Sequence, residues 1–128
     1  MRALALVALL CVPALAQAGG DALAGRKLFA SCANCHAVGP GARHGFGPHL
    51  NGLVGRKAGS LSGYAYSPAM KASGLVWSEA TLTAFLRAPG DVVPGTKMRY
   101  WGLGINDKKV ADLLAYLAAA EVAPAAGR

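Results

Sequence analysis

The sequence contains few acidic residues, few cysteines and no apolar segment as long as a membrane span. Its 128 residues include six Asp and Glu against thirteen Lys and Arg, with three cysteines, seventeen glycines and seven prolines. Three cysteines exclude a disulfide-rich scaffold, and the N-terminal apolar run is shorter than the roughly 20 residues that a membrane helix needs. Neither an alternating strand pattern nor an internal repeat occurs. The sequence therefore predicts one small all-α domain with many irregular loops.

Residues 1–18 have the features of a cleaved export signal. They combine one early positive charge, an unbroken apolar run and a small-x-small site that ends at Ala18. We expect cleavage after Ala18 and a mature protein in the periplasm; an uncleaved N-terminal anchor is the alternative. The expected domain occupies residues 19–122, and a flexible tail occupies residues 123–128.

Cys32, Cys35 and His36 form a C-x-x-C-H motif, which is typical of covalent haem attachment. Two thiols at this spacing lie on one side of a helical turn, so both can reach the vinyl groups of one porphyrin. The adjacent histidine can then bind the iron. A thioredoxin-like dithiol needs a βαβ context, and a structural zinc site needs four ligands, so both alternatives fit the sequence less well. The motif predicts one haem c, with iron held by His36.

Four side chains are candidates for the second axial ligand of the iron: His44, His49, Met70 and Met98. Met98 lies far downstream, in a loop that a proline stiffens and a glycine turns, so it can reach the opposite face of a porphyrin. Met70 is expected to fill the core from a short helix, and the two histidines follow the haem motif on a loop. Met98 is therefore favoured, and a histidine ligand is the alternative.

Capping residues and apolar spacing predict four helices separated by glycine- and proline-rich loops. The helices are expected at Asp21–Ala33, from Ser67 to Gly74, from Ser78 to Pro89, and from Asn106 or Asp107 to about Glu121. Their expected apolar contacts are Leu23, Leu28 and Phe29 in the first helix, Leu82, Phe85 and Leu86 in the third, and Val110, Leu113, Leu114 and Leu117 in the last. Residues 38–61 and 91–104 are predicted as irregular loops.

With these motifs, the chain resembles the class I c-type cytochromes, a family that includes mitochondrial cytochrome c and soluble bacterial relatives. The resemblance extends over residues 47–59 (GPHLNGLVGRKAG), 63–67 (GYAYS), 94–98 (PGTKM) and 111–117 (ADLLAYL). It implies the cytochrome c fold, in which three to five helices and glycine-rich loops wrap one covalently bound haem. The N- and C-terminal helices cross in that fold, which implies that Gly25 and Phe29 meet Leu113 and Tyr116.

The resemblance also implies roles for single residues around the haem. The carbonyl of Pro48 would accept a hydrogen bond from His36, and three further residues would hold the haem propionates: Arg56, Tyr66 and Trp77. A buried carboxylate needs such charges or hydrogen bonds. From the residues alone, a solvated Arg56 and a plain core Trp77 are equally good interpretations.

The chain departs from the family pattern at several positions. Met70 and Phe85 replace a usual Asn and Tyr, which implies a drier pocket that favours retention of Met98. The lysines around the haem edge are fewer than usual, and one residue is inserted between Met98 and the last helix. The bulky Tyr100 and Trp101 in that loop are expected either to shield the haem edge or to form an apolar docking spot.

These features predict a soluble, monomeric electron carrier that cycles haem iron between Fe(II) and Fe(III) and is not an enzyme. Its basic excess favours acidic docking surfaces on redox proteins, such as a cytochrome bc1-type complex, an oxidase, a reductase or a dehydrogenase. The sequence has no run of basic residues that would indicate binding to nucleic acid. Membrane contact is expected only through partner complexes. The alternatives are a haem peroxidase or a ligand-sensing haem module with a labile sixth ligand, and a dedicated subunit of one complex.

Overall fold

The computed structural model describes residues 19–123, and five helices form in this part of the chain. They are α1 (Ala22–Phe29), α2 (Pro68–Ala72), α3 (Glu79–Arg87), α4 (Pro89–Val92) and α5 (Asp107–Val122). Within the described residues, extended pairing is limited to one antiparallel bridge between Lys57 and Val76. The all-α expectation is confirmed. The predicted signal at residues 1–18 and residues 124–128 of the predicted tail lie outside the described residues.

Four of the five helices begin at a polar residue whose side chain accepts a hydrogen bond from the first helical turn. Such a cap satisfies a backbone N–H that has no partner inside the helix and contributes about 1 kcal/mol. The caps are Asp21 of α1, Ser67 of α2, Ser78 of α3 and Asn106 of α5. The predicted caps Ser67 and Ser78 are confirmed, and Asn106, rather than Asp107, caps the last helix.

Helices α1 and α5 cross in close contact, as the resemblance implies. Gly25 makes this possible because a Cβ atom at this position would overlap the backbone carbonyl of Asp112 and crowd the side chain of Tyr116. One turn further along, the rings of Phe29 and Tyr116 lie 5.3 Å apart. The crossing therefore brings the two ends of the domain together.

A buried carboxylate fastens this crossing. Asp112 is 4% exposed, and its Oδ1 accepts a 2.7 Å hydrogen bond from the backbone N–H of Asp21. Its Oδ2 lies 2.8 Å from Nζ of Lys108, one turn earlier in α5. The hydrogen bonds from Lys108 and from the Asp21 N–H lower the pKa of Asp112. The hydrogen bond between Lys108 and Asp112 also raises the pKa of Lys108. Asp112 thereby joins the start of α1 to the surface of α5.

The structure corrects three details of the predicted elements. Helix α1 ends at Phe29 rather than Ala33, and hydrogen-bonded turns carry the chain on to His36. Leu23 was expected to pack but is 73% exposed, because α1 buries its Gly25 and Phe29 face. The short helix α4 lies partly in a segment predicted as loop, where Pro89 supplies the fixed φ that suits a first helical position.

The buried apolar side chains form one cluster between α1, α3, α5 and the loops. Its members are Phe29, Leu53, Ala58, Trp77, Leu82, Phe85, Leu86, Val93, Val110, Leu113 and Leu117. The expected apolar faces of α3 and α5 are thus buried, with Leu114 only half-buried. No helix within residues 19–123 has the length and apolar character needed to cross a membrane.

Candidate functional site

A cavity of about 520 Å³ lies between α3, α5 and the loops, with a mainly apolar lining. This volume is typical of pockets that enclose a small-molecule cofactor. All eight residues predicted for the site line it, although they come from separate parts of the chain: Cys32, Cys35, His36, Pro48, Arg56, Tyr66, Trp77 and Met98. The fold therefore assembles the predicted residues around a single space.

The two cysteines enter the cavity on the turns that follow α1. The backbone N–H groups of Cys35 and His36 both bond to the carbonyl of Cys32, at 3.1 and 2.9 Å, which keeps the motif in one tight turn. Neither cysteine is in a disulfide, and burial raises the pKa of the Cys32 thiol. Both sulfurs are therefore available to one ligand in the cavity.

The imidazole of His36 is fixed in orientation by its surroundings. Its Nδ1 lies 2.7 Å from the carbonyl oxygen of Pro48. Because a carbonyl only accepts, Nδ1 carries the proton and Nε2 has the free lone pair that a metal requires. Burial is the main cause that lowers the pKa of His36, which favours this neutral form. Gly47 passes so close to the ring that a Cβ atom there would overlap it.

Asn51 holds the loop that carries Pro48, a role that the sequence did not reveal. Its side-chain carbonyl accepts from the N–H of Gly39, and its amide donates to the Gly39 carbonyl, both at 2.8 Å. Beside it, the N–H of Leu50 donates to the carbonyl of Ala37 at 2.9 Å. An Asn within a glycine-rich loop was the available signal, since such residues often bond to nearby backbone.

Met98 and Met70 both line the cavity, so the structure places two thioethers there. Met98 is half-buried on the loop after α4, and its N–H donates to Oγ1 of Thr96 at 3.2 Å. The other two candidate ligands, His44 and His49, are not among the lining residues. Their rings stack on each other at 5.0 Å, and Nε2 of His44 lies 2.9 Å from the carbonyl of Ser62.

Arg56, Tyr66 and Trp77 each contribute a polar group to the mainly apolar lining. Arg56 is half-buried and donates to the carbonyls of Asn51 at 2.8 Å and of His49 at 3.3 Å. Burial lowers the pKa of its guanidinium, with Tyr66 acting in the opposite direction. Trp77 is 8% exposed and packs edge-on against Phe85 at 5.1 Å.

Phe46 is a further lining residue that the sequence did not single out. It is 88% exposed, and its carbonyl accepts a 2.6 Å hydrogen bond from the hydroxyl of Tyr64, which also lines the cavity. An aromatic residue beside the tightly packed Gly47 was the available signal. Phe46 thus lies at the opening of the cavity on its His36 side.

The residues present fit a covalently attached haem. The cavity offers a mainly apolar lining for a porphyrin, two free thiols, a neutral imidazole and two thioether sulfurs. Its lining also includes N–H and O–H donors, which suits a flat apolar ligand that carries carboxylates. No charged side chain other than Arg56, Lys97 and Arg99 lines the cavity within the described residues.

Comparisons with known proteins agree with this fit. The family model described as Cytochrome c matches residues 22–121. Cytochrome c2 of Rhodoblastus acidophilus is 52% identical over 98 residues, or 77% of this chain and 91% of that protein. Cytochrome c-550 of Nitrobacter winogradskyi is 45% identical over 98 residues, or 77% of this chain and 89% of that protein.

A solved structure gives the same result for the fold. Cytochrome cH from Methylobacterium extorquens superposes with a TM-score of 0.69 and is 49% identical, covering 77% of this chain and 98% of that one. The sequence match includes α1, the C-x-x-C-H turn, the Met98 loop and nearly all of α5. The chain therefore belongs to the cytochrome c family, with covalently attached haem c as its cofactor, and is an electron carrier of the bacterial type.

Proposed function

We propose that this protein is a soluble periplasmic carrier that passes single electrons, with His36 and Met98 as the axial ligands of its haem iron. The observation that carries the proposal is that both residues line one cavity while Pro48 occupies the other nitrogen of His36. Cys32 and Cys35 would form the thioether bonds. The bound iron supplies a one-electron couple between Fe(II) and Fe(III).

The surrounding residues suit electron transfer with little rearrangement. The Pro48 carbonyl and the Gly47 backbone hold the His36 ring in one orientation. Phe85 and Met70 line the cavity with apolar groups, which exclude water and keep the local dielectric low. Arg56, Tyr66 and Trp77 would stabilise the propionates through hydrogen bonds. We therefore propose a carrier without catalytic activity of its own, since Met98 would close the position at which an exogenous ligand binds.

Replacement of Met98 tests this assignment directly. We expect Met98→Ala holoprotein to lose the long-wavelength thioether-to-iron absorption band, to have a lower reduction potential, and to bind carbon monoxide rapidly when reduced, because thioether ligation favours ferrous iron and blocks the site. Met70→Leu is the matched control, since Met70 lines the same cavity but should leave the band unchanged. A band that survives in Met98→Ala and disappears in Met70→Leu would exchange the two roles.

Rapid carbon monoxide binding by the unmodified reduced protein would support the alternative function instead. A haem peroxidase or a ligand-sensing module needs an open or labile sixth position, whereas the proposed carrier does not. Optical spectra of the purified holoprotein in both redox states, with and without carbon monoxide, therefore separate the two functions.

Export and chain boundaries belong to the same proposal. We propose removal of residues 1–18 and a mature domain over residues 19–122, followed by a short flexible tail at 123–128. Two observations support these limits: the family match starts at residue 22, and the described α5 ends at Val122. The intact mass of the secreted holoprotein, recovered from a periplasmic fraction, should correspond to a chain that starts at Gly19 and carries one haem.

The proposed partners are redox proteins with acidic docking surfaces, such as a bc1-type complex, an oxidase, a reductase or a dehydrogenase. The chain has thirteen Lys and Arg against six Asp and Glu, and Lys97 and Arg99 lie at the edge of the cavity. Raising the ionic strength from about 0.01 M to about 1 M shortens the Debye length from about 30 Å to about 3 Å. Electron transfer to the natural partner should slow over this range, as expected for a monomeric carrier with transient, charge-steered contacts.

A further inference from the structure

The loop between Met98 and α5 alternates between packed and exposed apolar residues. Tyr100 and Ile105 pack against the core cluster. Between them, Trp101 is 88% exposed and Leu103 is 92% exposed. Burial of either side chain would contribute about 2 kcal/mol, so this exposure forgoes a favourable interaction in the isolated protein.

The backbone that carries these two side chains packs closely against α3. Gly102, which lies between them, sits so tightly against the end of α3 that a Cβ atom would overlap the carbonyl of Leu86. The N–H of Leu103 donates to the carbonyl of Trp101 at 2.8 Å, and the N–H of Ile105 donates to the carbonyl of Gly102 at 3.0 Å. The backbone between the two exposed side chains is therefore held against the end of α3 at Gly102.

Basic residues lie near the segment that carries the exposed pair. Arg99 lies two residues before Trp101, and Nε of Arg87 lies 3.4 Å from the carbonyl oxygen of Ile105. Nζ of Lys109 lies close to Gly104, where a Cβ atom would be 3.2 Å away from it. The acidic residue at the start of α5, Asp107, is already 3.8 Å from the guanidinium of Arg87. Three basic residues and one acidic residue thus adjoin this segment, so its surroundings are apolar at the centre and net basic at the margin.

We propose that Trp101 and Leu103 form an apolar anchor on which a redox protein docks, and that the partner offers an apolar pocket ringed by carboxylates. This inference rests on the proposed carrier function. Two observations favour this occupant: the basic margin complements carboxylates, and Arg99 and Tyr100, which precede the pair, line the haem cavity. A partner seated on the anchor would therefore lie beside the bound cofactor.

The anchor divides docking into two contributions that respond differently to salt. Attraction between the basic margin and carboxylates is long-ranged and is screened at high ionic strength. Apolar contact acts only on close approach and persists in salt. Exposed tryptophans are frequent hot spots of interfaces, while two side chains cover too little area to slow release greatly. The anchor would thus give specificity to a contact that still dissociates quickly.

Chemically defined monolayers on gold provide a test with the intact holoprotein. One electrode carries carboxylate-terminated thiols, and another carries a mixture of carboxylate- and methyl-terminated thiols. Adsorption isotherms and voltammetry are recorded at about 0.01 M and about 1 M salt. We expect adsorption on the mixed surface to persist at high salt and adsorption on the carboxylate surface to be lost. The double variant W101A/L103A should bind the mixed surface at least about tenfold more weakly at high salt and the carboxylate surface unchanged at low salt.

Two further variants control this comparison. Leu23 is an exposed residue of α1 that does not line the cavity, so Leu23→Ala should adsorb as the unmodified protein does. Trp101→Phe retains an aromatic side chain, so it should keep most of the binding to the mixed surface at high salt that W101A/L103A loses. Equal adsorption of W101A/L103A and the unmodified protein on the mixed surface would overturn the proposal.

Two other occupants of the Trp101–Leu103 anchor would give different results, and either result would overturn the proposal. Binding to neutral phosphatidylcholine vesicles that depends on Trp101 would identify a lipid surface. Sedimentation as a dimer that W101A/L103A abolishes would identify a second copy of this chain. Failure of the proposed carrier function is separate, since it would appear as full adsorption without a reversible one-electron wave.

Discussion

The α1–α5 crossing and the cavity beside it are built in opposite ways. At the crossing, protein fills the space: a glycine removes the one side chain that would prevent contact, and a buried carboxylate bonds to both helices. At the cavity, side chains from loops and helices surround about 520 Å³ that no protein atom fills. The first region is complementary to itself, and the second is complementary to the cofactor.

The lining of the cavity shows why the cofactor matters for the stability of the domain. Most of this lining is apolar, so without a cofactor it is exposed to water and its burial contributes nothing to folding. The free energy of unfolding of a domain of this size is only about 5–15 kcal/mol. We therefore expect the packing at the crossing to be too weak to sustain the fold without the cofactor.

Removal of the covalent attachment of the haem should have the largest effect on the stability of the domain. In the double variant C32S/C35S, we expect no covalently bound haem and loss of cooperative thermal unfolding, because the apolar lining of the cavity then stays exposed to water and total stability is only about 5–15 kcal/mol. Absorbance after denaturation reports attachment, and far-UV circular dichroism reports the helices. Ser31→Ala, at a neighbouring exposed residue of the cavity lining, should leave both signals unchanged. A folded, haem-free C32S/C35S protein would show that the crossing is stable alone.

A methyl group at the crossing should have the next largest effect. Gly25→Ala places a Cβ atom against the Asp112 carbonyl, so the helices must separate, and we expect the holoprotein to lose about 3 kcal/mol of stability. Denaturant unfolding followed by circular dichroism measures the loss. Gly90→Ala is the control, because a Cβ atom there meets nothing within 4 Å, and its stability should change by less than about 1 kcal/mol. Equal losses in the two variants would refute the tight crossing.

Polar groups in the cavity wall should have a smaller effect on stability, limited to the loop that carries Met98. The double variant M70N/F85Y introduces an amide and a hydroxyl into the lining of the cavity that Met98 also lines, which should allow water into the cavity. We expect the alkaline transition, in which the proposed ligand Met98 would be replaced, to occur about one pH unit lower, which corresponds to about 1.4 kcal/mol. Optical titration of the oxidised holoprotein measures the midpoint, and Met70→Leu should not shift it. An unchanged midpoint in M70N/F85Y would remove the argument that the apolar wall retains Met98.

The smallest expected effect concerns the charge at the crossing and depends on pH. Hydrogen bonds from Lys108 and the Asp21 N–H hold the pKa of Asp112 below its ordinary value of 3.8. A carboxyl with a depressed folded-state pKa stabilises the protein above its unfolded pKa, and that contribution disappears as the pH falls through the folded value. Asp112→Asn should therefore be less stable than the unmodified protein near neutral pH, with the difference shrinking below about pH 4. A stability difference that stays constant from pH 7 to pH 2 would show that the charge of Asp112 has no role.

Local sequence signals predicted which residues would line the cavity more accurately than they predicted where each helix begins and ends. Cys32, Cys35 and His36 are adjacent in sequence, and Pro48 and Met98 lie in recognisable motifs, so their convergence on one cavity could be foreseen. The identity of Met98 as the ligand remains a prediction. The early end of α1 could not be foreseen, because the turns after Phe29 depend on the placement of the motif rather than on helix propensity.

Contacts between distant segments were harder to predict. Asp112 reads as an ordinary solvent-facing residue of an amphipathic helix, and only the approach of Asp21 explains why it is buried. Leu23 has the right spacing for a core residue, but Gly25 directs another face of α1 toward α5. Propensity and periodicity describe one helix at a time, whereas these outcomes depend on which helix lies opposite.

The hydrogen bond between His36 and Pro48 also determines how protons behave at this ring. A carbonyl oxygen only accepts, and proline has no N–H with which to reverse the bond. The proton on Nδ1 therefore has no acceptor that could pass it on along this 2.7 Å contact, and the Gly47 backbone packs close to the ring. If His36 binds the iron as proposed, the ring should keep the same proton in both redox states, so electron transfer at this ligand should need no uptake or release of a hydrogen ion.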